Sequence, residues 1–92
     1  MDIYTQLAEK IVKEQETIIG PVAFEQALKV PGISIDSATH NITLTGNKKE
    51  ILELLVKQYE GLFGRTSVEV CREATKDIVS NSPKDQIPQI LL

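Results

Sequence analysis

The chain carries little with which to do chemistry. In 92 residues it has one cysteine, one histidine, one methionine, no tryptophan, two tyrosines and two phenylalanines. A lone cysteine, Cys71, excludes an internal disulfide and a multi-cysteine zinc site. There is no surplus of positive charge. The formal net charge is −3, which argues against nucleic acid as the main partner, because phosphate recognition needs a basic surface. No apolar run approaches the ~18–20 residues of a membrane span. The opening Met-Asp-Ile-Tyr-Thr-Gln lacks the basic and apolar regions of a secretory leader. The expectation is a cytoplasmic chain with no membrane and no cofactor. On that expectation the acceptor-like Asn41-Ile42-Thr43 stays unmodified.

What is present is pattern. Apolar residues at Ile3, Tyr4, Leu7, Ala8, Ile11, Val12, Ile18 and Ile19 recur in steps of three and four, which predicts a helix with Asp2 as N-cap and Gly20 as its stop. Pro21 suits the first turn of a second helix bearing Val22, Ala23, Phe24, Ala27 and Leu28, ended by Pro31-Gly32. The period then changes to two. Ile33 and Ile35, and after a loop Ile42 and Leu44, alternate with polar residues and predict a β-hairpin within 33–45. Its loop exceeds two residues, so the register stays open. Asn47 with Glu50 resembles a capping box opening a helix to Phe63. The wide apolar arc of that helix belongs at the centre of a core or in a subunit contact. Gly64 stops it. Thr66 with Glu69 resembles a second box, opening a helix whose face is Val68, Cys71, Ala74 and Ile78 and which stops at 80–83.

Shifted by 44 residues, the chain matches itself. Positions 7–25 and 51–69 share Glu9/Glu53, Val12/Val56, Lys13/Lys57, Glu16/Glu60, Gly20/Gly64 and Glu25/Glu69. Helical periodicity alone supplies part of such a match, but the shared glycine at the shared helix end is harder to obtain by chance. The predicted fold is therefore α+β, mainly α: two helix–Gly–helix units flanking one β-hairpin, in the order α-α-β-β-α-α. Residues 1–83 form one domain and 84–92 an apolar tail. Each unit alone exposes an apolar face, so the two pack on each other in a roughly two-fold manner, within one chain or swapped between two. Ile18-Ile19-Gly20-Pro21-Val22-Ala23 resembles the "iGPiA" segment of small helical modules attached to prokaryotic signalling proteins. That resemblance implies an interaction role and carries no chemistry. The second copy, Leu62-Phe63-Gly64-Arg65-Thr66-Ser67, departs from it by lacking the proline.

Candidate chemistry is sparse. Cys71 lies on an apolar stripe and reads as a buried, inert thiol; a nucleophilic pair with His40 rests on no spacing. His40 reads as a solvated loop residue. Gly46, Asn47, Lys48 and Lys49 open a helix and offer a weak anion site, without the full phosphate-loop pattern. Glu9, Glu14, Glu16, Glu53 and Glu60 read as solvated helix faces rather than paired catalytic carboxylates. The tail ending Ile87-Pro88-Gln89-Ile90-Leu91-Leu92 either folds back over the domain or docks on a partner. The expected role is a non-catalytic protein-interaction module, homodimeric, with an unknown protein partner. Its expected interface is Leu55, Tyr59, Leu62, Phe63, Ile87, Ile90 and Leu91. The alternative is a metabolite or lipid carrier with a pocket between the helix pairs.

Overall fold

Each helix begins and ends where local chemistry directs. A computed structural model describes residues 2–92. Its elements follow in the predicted order: α1 (Ile3–Ile19), α2 (Val22–Ala27), β1 (Ile33–Ile35), β2 (Ile42–Leu44), α3 (Lys48–Phe63) and α4 (Thr66–Ser80). The Asp2 carboxylate accepts from the Thr5 amide at 2.7 Å and opens α1. The Asn47 side chain accepts from the Glu50 amide at 3.1 Å and opens α3. The expected box at Thr66 does not form. Thr66 is already helical, and the capping position falls on Arg65, which offers no side-chain acceptor.

The environments of α1 and α3 repeat at the 44-residue offset. Buried on α1 are Leu7, Ala8, Ile11, Val12 and Gln15, and buried on α3 are Ile51, Leu52, Leu55, Val56 and Tyr59. Gly20 and Gly64 end the two helices at φ +78° and +83°, where a side chain is disfavoured. Their amides bond to Glu16 O and Glu60 O, both at 2.8 Å. The following helices then start alike, with Ala23 N to Gly20 O at 3.0 Å and Ser67 N to Gly64 O at 3.1 Å.

Two buried hydrogen bonds join the units reciprocally. Gln15 Nε2 donates to Ser67 O at 3.4 Å, and Tyr59 Oη donates to Ala23 O at 2.8 Å. Gln15 and Tyr59 are equivalent positions, as are Ala23 and Ser67, so each bond is the other with the units exchanged. At the opposite end, Lys48 Nζ meets Asp2 Oδ2 at 2.6 Å and ties the start of α3 to the start of α1. Bound at both ends, α1 and α3 lie side by side and parallel. The two units thus pack within one chain, with α1 also lying along α4.

The hairpin pairs antiparallel with Ile33 opposite Leu44 and Ile35 opposite Ile42, which puts all four on one face. Ile33, Ile42 and Leu44 are buried, and β2 packs on α1. The tail folds back. Two 3-10 turns, Lys84–Gln86 and Gln89–Leu91, bring Ile87, Pro88 and Leu91 into the core. Arg72 Nε holds the tail by donating to Ile90 O at 3.0 Å, and Lys49 Nζ by donating to Asp85 O at 2.8 Å. The tail lies over α4 and α3. It is therefore part of the domain and not a free arm.

Candidate interaction surface

The inward stripe of α1 runs through Leu7, Ile11 and Gln15, and the next residue on it is Ile19. On α3 the same stripe runs through Ile51, Leu55 and Tyr59 to Phe63. Gln15 and Tyr59 are fully enclosed, but one turn later the core ends. Ile19 is half-buried and Phe63 is 43% exposed. Their neighbours Ile18 and Leu62 are 57% and 50% exposed. Because α1 and α3 are parallel, with each end held against the other unit's turn, these four apolar side chains lie in the last turns at the same end of the helix pair. Two helix C-termini converge there too, and neither helix has a basic residue in its last turn. The N-terminus of α4, with its partial positive end, begins just beyond Gly64 and Arg65 in the same turn.

Several expected interface residues lie elsewhere. Leu55 and Tyr59 are wholly buried between the units, and Ile87 and Leu91 are buried under the folded tail. Ile90 is half-buried, with its carbonyl bonded to Arg72. Of the expected set, Leu62 and Phe63 remain at the surface. Burial of Leu55 and Tyr59 follows from the parallel helix pair, which uses the wide arc of α3 on two sides at once, and that of Ile87 and Leu91 from the folding back of the tail. In the sequence Ile18 falls within the apolar pattern of α1, and the signal that sets it apart is its 44-residue equivalence to Leu62.

The residues of the weak anion site have partners of their own. The Asn47 side chain is committed to its own helix cap, Lys48 to Asp2 and Lys49 to Asp85 O. Gly46, at φ +117°, shapes the approach of the chain to α3.

Cys71 is fully buried, and burial pushes its thiol up to about 11. Its sulfur receives Gln15 Nε2 at 3.5 Å. His40 is exposed, takes a left-handed φ of 62° and stacks on Phe24 with ring centroids 4.3 Å apart. The two are not brought together. Cys71 faces Gln15 in the core, whereas His40 lines an outer cleft with Glu9, Lys13 and Glu16 of α1. Tyr59 is likewise held protonated, its phenol pushed up first by burial. The loop before His40 is ordered by Asp36, whose carboxylate accepts from Ala38 N and Thr39 N at 2.8 and 2.9 Å. Those bonds hold its carboxyl below the usual range.

The joint between the helix pairs, expected as a ligand pocket in the alternative reading, is filled by Ile11, Gln15, Leu55 and Tyr59. The cleft beside His40, of about 270 Å³, lies outside that joint, between α1, Phe24 of α2 and the hairpin loop. Among the described residues no group of three or more His, Cys, Asp or Glu is placed to hold a metal ion, and no helix is long and apolar enough to cross a membrane. Comparison with known proteins finds no family model, no curated protein and no solved structure that matches the chain.

Proposed function

We propose that this protein is a non-catalytic interaction module that docks partners on the end of the molecule where α1 and α3 terminate. The observation that carries this reading is the exposure of Ile18, Leu62 and Phe63, each close to half exposed, in the last turns of the two parallel helices α1 and α3. Exposed apolar side chains grouped in this way favour association. The resemblance of residues 18–23 to modules of prokaryotic signalling proteins is consistent with an adaptor role. The repeat at 44 residues supports an origin by duplication of one helix–Gly–helix unit. A small-ligand carrier draws less support, because the joint between the pairs is filled by side chains.

The test is a photo-crosslinking side chain placed at position 62 in the full chain, expressed at low level in cells, with Ser37 in the hairpin loop as the control position. Discrete protein adducts at 62 and not at 37 are expected. Equal background at both positions would remove this end as a docking surface.

A further inference from the structure

Away from the ends of α1 and α3, the cleft of about 270 Å³ beside the hairpin loop joins three elements around one space. We infer that it binds a free α-amino acid with an apolar side chain, the ligand carboxylate meeting Lys13 and its ammonium the glutamates on either side. This site is separate from the filled joint between the helix pairs and does not depend on the docking surface.

One wall is charged. Glu9, Lys13 and Glu16 follow at steps of four and three along one stripe of α1. Residues so spaced can pair across a helix turn, yet no such pair forms here. Both glutamates are half-buried, and none of the three side chains has a hydrogen-bond or ion-pair partner among the described residues.

The facing wall is held in place by its own bonds. Asp36 takes the amides of Ala38 and Thr39 on its carboxylate, and its carbonyl accepts from His40 N at 2.8 Å. The loop thereby keeps His40 at a φ of 62° with its ring on Phe24. A non-glycine residue persists in that region only where its surroundings fix it. Val12 and Ile42, both buried, complete the cleft with an apolar surface.

These groups select the ligand. Lys13 and Glu16 are three residues apart, about 4.5 Å along the helix axis. An ammonium and a carboxylate carried on one carbon can meet both. A simple anion would face the two glutamates, and a simple cation would face the lysine. A volume just under the ~300–1,000 Å³ of drug-sized sites suits a ligand of about ten heavy atoms. So small a ligand in an open cleft binds with a dissociation constant on the order of 0.1–1 mM. The repeat supplies an internal control. Glu53, Lys57 and Glu60 reproduce the charged stripe on α3, but Val68 stands where Phe24 does, and no hairpin follows α4.

Amide chemical shifts of the isotope-labelled full chain, followed to about 20 mM ligand, test this with L-phenylalanine, L-leucine, phenethylamine and 3-phenylpropanoate. Saturable shifts with at least one of the two amino acids are expected at Lys13, Phe24, His40 and Asn41. Phenethylamine and 3-phenylpropanoate, each lacking one charged end, should bind at least fivefold more weakly. Lys13→Met should weaken the amino acid fivefold or more and leave phenethylamine unchanged. Lys57→Met, which removes the same charge from the repeat, should change nothing. Both lysines are exposed, and an amide spectrum unaltered beyond the neighbours of the substitution would certify that each variant folds. No saturable shift at the cleft with either amino acid would overturn the proposal. So would phenethylamine binding as tightly as phenylalanine, which would make this a cation site, or an equal loss from Lys13→Met and Lys57→Met.

Discussion

Tyr59 and Gln15 occupy equivalent positions on parallel helices, yet removing them has different consequences. The Tyr59 hydroxyl gives the buried Ala23 carbonyl a bond of 2.8 Å. Tyr59→Phe leaves that carbonyl without its side-chain partner and should cost about 1–3 kcal/mol in urea unfolding, with the m-value unchanged. Gln15 makes only long contacts, 3.4 Å to Ser67 O and 3.5 Å to the Cys71 sulfur. Gln15→Leu should therefore cost less than Tyr59→Phe, and the reverse order would contradict the geometry. Asp2 gives a pH signature. The Lys48 contact and the Thr5 amide hold its carboxyl down to about 2 from an ordinary 3.8. A carboxyl depressed on folding contributes stability above its unfolded value, and that stability is lost as pH falls through the folded one. Asp2→Asn keeps the cap but removes the charge. It should lower stability at pH 7 by roughly 0.5 kcal/mol, because the pair is exposed and screened, and the difference from wild type should shrink as pH falls through about 2 and vanish near pH 1. A difference undiminished at pH 1 would mean that the charge is not its source.

At the scale of elements, glycine and the tail decide most. A Cβ added at Gly32, where φ is +93°, would meet Thr45 O at 2.6 Å and Ile51 Cδ1 at 2.7 Å, whereas one at Gly20 meets nothing within 4 Å. With φ +78° and ψ −161°, a region open essentially to glycine alone, Gly20→Ala should cost about 1–2 kcal/mol through backbone strain alone. Gly32→Ala should cost clearly more, roughly 2–4 kcal/mol, since the strand end must also move away from α3. Thermal unfolding of the two variants reads this order directly. Deleting residues 83–92 uncovers the core against which Ile87, Pro88 and Leu91 are buried. At about 1.5–3 kcal/mol for each large apolar side chain, the loss is of the same order as the ~5–10 kcal/mol expected for the whole domain. The shortened chain should be largely unfolded at 37 °C by circular dichroism, and a cooperative, near-native melt would contradict the packed tail. Much of this level was legible in sequence. Periods of 3.6 and 2, glycine stops and the Asn47 cap locate all four helices and the hairpin. Other details were not. Thr75 rather than Ala74 is fully buried on α4, because its hydroxyl is satisfied internally by Cys71 O at 2.8 Å. A polar residue that supplies its own partner looks solvent-facing in a hydropathy pattern. The tail has no period at all, so only tertiary contact reveals where it lies.

For the whole molecule, the 44-residue match predicted two units packed on each other, and the paired environments of α1 and α3 follow that offset residue by residue. The direction of packing was hidden. Nothing in an amphipathic stripe says whether its partner runs parallel or antiparallel, and here the answer rests on contacts between distant residues, such as Asp2 with Lys48 and Gln15 with Ser67. The docking end was half legible for the same reason. The apolar character of Leu62 and Phe63 was readable, but only the parallel arrangement puts Ile18 at the same end of the helix pair. That arrangement also shapes how the chain reaches its native state. The bonds that tie the units together span 32, 36, 46, 52 and 56 residues of sequence. None forms until a long stretch of flexible chain has been closed, an entropic cost that falls before the transition state rather than after it. An up-and-down bundle of equal length makes most of its contacts between neighbours and avoids that delay. Stopped-flow refolding should accordingly be slower than for a four-helix bundle of similar size and stability, and a rate equal to the bundle's would mean that the halves meet before their bonds do.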